Sequence, residues 1–158
     1  MSEHRHHDAG HARHDSSWST AVSATLHCLT GCAIGEVLGM VIGTALGLSA
    51  GVTVVLAVAL AFVFGYALSA RRVLAAGLPV AQALKVAFAA DTISIAVMEI
   101  VDNAVILAVP GAMDAGLGSF LFWAALAVAL AVAFVVTVPV NRWMIGRGRG
   151  HAVMHAYH

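Results

Sequence analysis

The segment from Leu26 to Gly47, LHCLTGCAIGEVLGMVIGTALG, sets His27, Cys28, Cys32 and Glu36 in an otherwise apolar stretch. Thiolate, imidazole and thioether groups are soft or borderline ligands that suit Cu(I) and Zn²⁺. On a helix, Cys28 and Cys32 stand one turn apart on one face and can reach a single ion. Glu36 and then Met40 follow at further turns. The same spacing directs the two sulfurs poorly for a disulfide within one regular helix, so both are expected as thiols or thiolates. There is no C-x-x-C pair to mark a zinc site, and small buried apolar packing is the competing role for both cysteines.

A second polar set lies in VAFAADTISIAVMEIVDNAVILAV, residues 86–109, with Asp91, Ser94, Met98, Glu99, Asp102 and Asn103. At helical spacing Asp91, Met98 and Asp102 fall within about 40° of one another, with Ser94 to one side and Glu99 to the other. Glu36, Asp91, Glu99 and Asp102 are thus four carboxyls in apolar segments whose cores hold no Lys or Arg; His27 is the internal candidate cation. Carboxyls at membrane depth are neutral, meet a cation, or are reached by water. Each state fits a proton or metal-ion site. Hydrogen bonds to Thr92, Ser94 and Asn103, or a position near the interface, would instead make them structural.

Every histidine except His27 lies near an end of the chain. His4, His6, His7, His11 and His14 precede the first apolar segment, and His151, His155 and His158 close the sequence. His-rich tracts bind Zn²⁺, Ni²⁺ or Cu²⁺; a solvated polar tail is the alternative.

The elements that carry these residues follow from composition. The chain has 158 residues, 61% hydrophobic and 10% charged, with mean hydropathy +0.92. Soluble domains carry about 25% charged residues, so an integral membrane protein is expected. Four segments approach the roughly 20 apolar residues of a span: about 20–48, 52–70, 86–109 and 119–140. Arg5 and Arg13 precede the first, Arg71, Arg72 and Lys85 lie between the second and third, and Arg142, Arg147 and Arg149 follow the fourth. The links GLSAG and PGAMDAGLGS hold no Lys or Arg. Basic residues stay on the cytoplasmic side, so both termini are expected there. The N-terminal segment lacks the apolar core of a signal peptide, and zero formal net charge argues against a nucleic-acid partner.

The expected fold is therefore all-α: an integral membrane bundle of four transmembrane helices. Its organisation is a His-rich flexible cytoplasmic tail over 1–17, a transmembrane domain over 18–146 and a basic, His-rich cytoplasmic tail over 147–158. The polar helices, first and third, are expected inside, with the second and fourth facing lipid. Gly31, Gly35, Gly39, Gly43 and Gly47 form overlapping GxxxG motifs that admit a close neighbour. Sharing a face with the polar residues, they point to the third helix as that neighbour, or to a second copy across a homodimer. The first and third helices run parallel, which sets His27 and Cys28 level with Asp91, and Cys32 and Glu36 level with Glu99 and Asp102. LAVALA recurs at Leu56–Ala61 and Leu126–Ala131; duplicated hairpins compete there with chance.

Three blocks, LHCLTGCAIGE, DTISIAVMEIVDN and PVNRWMIGRGRGHAVMH, resemble a small bacterial family of multi-pass membrane proteins catalogued as a domain of unknown function. They span most of the chain from residue 26 onward; the first 17 residues lie outside. The resemblance implies a multi-helix protein of the bacterial cytoplasmic membrane and assigns no catalytic role to any residue. From the residues themselves the expectation is binding or transport of a transition-metal cation, Cu or Zn, coupled to protons on the carboxyls. The alternative is a structural or assembly subunit in which the same residues set helix register. An enzyme is not expected: there is no triad, phosphate loop or C-x-x-C-H motif. A homo-oligomer, preferably a dimer, would supply bulk that four short helices lack.

Overall fold

A computed structural model describes residues 8–75, 77 and 79–146. They form four helices: α1 (Asp8–Ala45), α2 (Ala50–Ala75), α3 (Val80–Ala108) and α4 (Phe120–Gly146). Local chemistry sets the breaks. Gly47, at φ +63°, ends α1, and the Leu48 N–H turns back to donate to the Gly43 carbonyl at 2.9 Å. Pro79 is the N-cap of α3, and Pro110 followed by Gly111, at φ +78°, prevents its continuation. The Ser119 hydroxyl accepts the Leu121 N–H at 3.2 Å to cap α4. The Trp123 Nε1–H donates to the Leu117 carbonyl at 2.9 Å and folds the preceding link onto the helix.

The first helix begins at Asp8 and so extends back into the His-rich segment, while its apolar stretch starts at Trp18, close to where the span was expected. Among the described residues three stretches are long and apolar enough to cross a membrane: Trp18–Ala45, Ala50–Arg72 and Phe120–Gly146. The third helix is 29 residues long but carries Asp91, Glu99 and Asp102 in its middle and second half. Large apolar side chains stand outward on every helix, among them Leu38, Val55, Ile100, Leu107, Phe120 and Val135. Such an apolar exterior suits lipid rather than water.

The glycine row packs against α2, not against α3 as its shared face had implied. A Cβ on Gly31 would lie 2.7 Å from the Gly65 Cα; on Gly35 it would meet the Ala61 backbone, on Gly39 Ala57, and on Gly43 the Thr53 side chain. Contact positions descend along α2 as they ascend along α1, so the two helices form an antiparallel hairpin. Thr53, Ala57, Ala61 and Gly65 are themselves a row of small residues at every fourth position. Two small rows facing each other allow backbone-to-backbone approach. Gly47 is not part of that contact: nothing lies within 4 Å of its Cβ position, and its role is to end the helix.

The expected division into inner and lipid-facing helices is also revised. The fourth helix buries Phe122, Ala125, Ala129, Ala133, Thr137 and Asn141, and so forms part of the interior as α1 and α3 do. Its alanines make this cheap, since small side chains let a helix with no charged core residue sit close to its neighbours. At the centre, Cys28 and Cys32 pack with Ala61, Ile95, Met98 and Ala133, one or two residues from each helix.

Candidate functional site

The interior polar groups fall into two layers on either side of that packed centre. The layer nearer the chain termini is a closed hydrogen-bonded set. The Ser94 hydroxyl donates to Asn141 Oδ1 at 2.5 Å, and Asn141 Nδ2 donates to the Thr25 hydroxyl at 2.8 Å. Thr25 in turn donates to the Ala21 carbonyl at 2.8 Å. One asparagine from α4 thereby joins α3 to α1. Beside it the Cys28 thiol lies 3.7 Å from Asp91 Oδ1 as a weak donor. Tyr66 and Thr92 share a hydrogen bond of 2.9 Å between their hydroxyls, with the Tyr66 ring stacked on Phe88 at 4.8 Å. This layer couples all four helices.

Replacing Asn141 with leucine is therefore expected to loosen α4, lowering stability by about 1–2 kcal/mol, since Ser94 loses its partner while Thr25 keeps its own carbonyl. Reversible unfolding in mixed detergent micelles measures this. An unchanged midpoint would mean that the three-residue chain contributes nothing.

The second layer lies toward the opposite end, where α1 turns into α2 and α3 into α4. There Glu36, Glu99 and Asp102 are 7%, 4% and 4% exposed. Both carboxyl oxygens of Glu36, both of Glu99 and Oδ1 of Asp102 are buried, and outside this acidic cluster and Cys32 none has a hydrogen-bond partner among the described residues. The Glu36 carboxyl adjoins those of Asp102 and Glu99, and the Cys32 thiol adjoins Glu99. All three carboxyl residues line one cavity of about 290 Å³, which extends past Met40 to Met113 and Asp114. Buried carboxyls without a basic partner are costly, and here they gather along one space instead of each finding a separate partner.

The register expected from sequence agrees with these contacts. Cys28 meets Asp91, Cys32 meets Glu99 and Glu36 meets Asp102, rising together as two parallel helices require. The single-face reading of α1 does not hold. Its glycines turn to α2, its cysteines turn to the centre, and His27 lies in a shallow groove with Trp18, Ser23 and Arg72. His27 Nε2 is buried there without a partner, away from both cysteines. Met98 fills the centre at 1% exposure, and Met40 lines the cavity. Among the described residues no three His, Cys, Asp or Glu side chains are grouped so as to hold a metal ion. His4, His6, His7, His151, His155 and His158 lie outside the described residues; His11 and His14 fall on the first turns of α1.

The sequence reading passed over Asn141 and Thr25. Asn141 stands at the end of an apolar run, next to Arg142, where it reads as the edge of a span. The signal available was its type: an amide directed into a helical bundle seeks partners on other helices. Arg142 itself lies over the Trp18 ring, 3.9 Å from its centroid, and so ties the same end of α4 to α1.

A family model described as Domain of unknown function (DUF4396) matches residues 17–150. The chain belongs to that family. The DUF4396 match takes in all four helices except the first turns of α1, so both polar layers and the cavity lie within the family's domain. No curated protein and no solved structure matches the chain.

Proposed function

We propose that the protein is a four-span membrane protein that binds a cation in the cavity lined by Glu36, Glu99 and Asp102 and exchanges it for protons. The observation that carries this reading is that three residues lining one open space carry buried carboxyls that meet one another and a thiol rather than a basic group. A carboxyl at membrane depth is a neutral acid, the partner of a cation, or reached by water, and these carboxyl oxygens are closed to solvent. A site that passes between the first two conditions trades protons for its ligand.

In this reading α3 is the fourth span. At about 1.5 Å per residue it is long enough, its carboxyls turn inward, and Ile93, Ile100 and Leu107 make an exposed apolar stripe at seven-residue spacing. Both termini lie in the cytoplasm, as the basic residues at that end of the bundle favour, and the cavity opens on the far side of a bacterial inner membrane. An alkaline phosphatase fused after residue 146 should then be inactive and one inserted in the 112–116 link active; the reverse pattern would overturn the orientation.

Of the two metals expected from sequence, Zn²⁺ is the better supported. It accepts carboxylate oxygens with a thiolate, and Cys32 adjoins Glu99. Cu(I) would need the softer set of His27, Cys28 and Cys32, of which His27 faces elsewhere. The test is proton release. Purified full-length protein in nanodiscs, held in weak buffer with an indicator dye, receives Zn²⁺ or benzyltrimethylammonium in separate titrations. At least one should release protons from the wild type and none from Glu36→Gln/Glu99→Gln/Asp102→Asn. No release with either cation would overturn the reading.

A further inference from the structure

The cavity has two unlike parts. Its floor is formed by three acidic residues, each more than nine-tenths buried, whose carboxyls meet one another and the Cys32 thiol rather than a basic group. Its walls are mostly hydrocarbon, with Val54 and Val58 from α2, Ile106 from α3, and Phe122 and Leu126 from α4, interrupted by Thr44, Thr53 and Asn103. Asp114 stands exposed at the mouth.

A hydrated inorganic ion finds few partners along such walls and would leave most of its water shell unreplaced. A coordinated metal needs ligands converging at bonding distance, whereas among the described residues no three candidate ligands are so grouped. An amphiphilic cation makes neither demand. Its hydrocarbon body gains from apolar walls in proportion to the area covered, and its diffuse charge needs carboxylates nearby rather than in a fixed coordination shell. The volume, about 290 Å³, lies near the lower end of the range for small-molecule pockets, roughly 300–1,000 Å³.

We infer that the cavity is a binding site for a small organic ammonium ion, its charge held over Glu36, Glu99 and Asp102 and its hydrocarbon part against Val58, Ile106 and Leu126. This rests on the cavity being the cation site, and it names the ligand class for that site. The acidic floor excludes anions, and a neutral apolar guest would leave the buried carboxyls with no opposite charge.

The experiment uses full-length protein in neutral-lipid nanodiscs and three probes: benzyltrimethylammonium, Zn²⁺ and Na⁺. Calorimetry gives each affinity for the wild type, for Glu99→Gln, and for the wall variant Val58→Thr/Ile106→Thr, with size-exclusion profiles and helical content verifying that each variant is folded. Threonine approximates the shape of valine and shortens isoleucine by one methyl, so the wall variant keeps most of the packing. Benzyltrimethylammonium should bind the wild type and be displaced by lowering the pH. Glu99→Gln should weaken it at least tenfold. The wall variant should weaken it about tenfold, from lost apolar contact, while changing Zn²⁺ affinity less than about twofold, because coordination does not use the walls. Zn²⁺ binding with proton release but no binding of benzyltrimethylammonium would overturn this inference and leave the cation-exchange reading standing. Equal weakening of Zn²⁺ and benzyltrimethylammonium by the wall variant would also overturn it, as would organic binding indifferent to that variant. Absence of binding by every probe would overturn both readings.

Discussion

Replacing Gly35 with leucine is expected to separate α1 from α2 and leave little folded protein. Even the first carbon of a side chain at this position would coincide with the backbone of Ala61. Inserting extra carbons into a packed core typically costs about 1–3 kcal/mol when neighbouring side chains can move aside. Here the obstacle is main chain, so no rotamer change relieves it and the helices must part. The hairpin also carries Cys28 and Cys32 to the centre, so its opening would release Met98 and Ile95 as well. Gly51, with nothing within 4 Å of its Cβ position, supplies the control: Gly51→Ala should express and melt as the wild type does. Yield of monodisperse protein and thermal loss of helicity are the measurements. Wild-type behaviour of Gly35→Leu would mean that the row is free to contact something other than α2, a second copy included.

The second large effect has the opposite sign. Substituting the acidic floor with apolar residues, Glu36→Met/Glu99→Met/Asp102→Leu, is expected to stabilise the protein while abolishing cation binding. Well-packed apolar side chains in place of buried ionic groups are commonly neutral or favourable by about 1–4 kcal/mol, and these carboxyls meet one another and a thiol rather than a compensating basic group. The replacements have similar length and would partly fill the cavity. This outcome separates the two roles considered for the polar residues. Groups kept for helix register should destabilise the bundle when removed, as Asn141 should; groups kept for a ligand are retained at the expense of stability. Resistance to unfolding in mixed micelles gives the sign directly, and a lower midpoint for the triple variant would favour the structural role.

What the sequence disclosed depended on how each kind of residue acts. The helix boundaries at Pro79 and Pro110 were legible because proline acts through its own backbone, whereas Gly47, read as part of the packing row, ends α1 instead. The pairing of Cys28 with Asp91, and of Glu36 with Asp102, was legible because equal rise along parallel helices fixes depth. The partner of the glycine row was not. Glycine states that something comes close without stating what, and the matching row Thr53, Ala57, Ala61 and Gly65 lay in a segment that lacked polar residues to draw notice. His27 was misleading for a related reason: adjacency to Cys28 in the chain places it about 100° away around the helix, and that turn carries it out of the interior to Trp18 and Arg72. The cavity could not be read from the chain at all, since its walls come from all four helices and two links.

If α3 spans the bilayer and the cavity takes a cation, as proposed, the position of Glu99 along α3 has an electrical consequence. Nine residues separate it from the helix end at Ala108, a rise of roughly 14 Å, against a hydrocarbon core of about 30 Å. A positive charge descending the cavity to that carboxyl crosses a sizeable part of the low-dielectric layer. Moving one charge across the entire layer is worth about 2.3 kcal/mol per 100 mV, so a large fraction of that would add to or subtract from the free energy of occupancy. The resting voltage of the cell would thus set how full the floor is, and a field imposed across a planar bilayer should shift its occupancy with no change in ligand concentration.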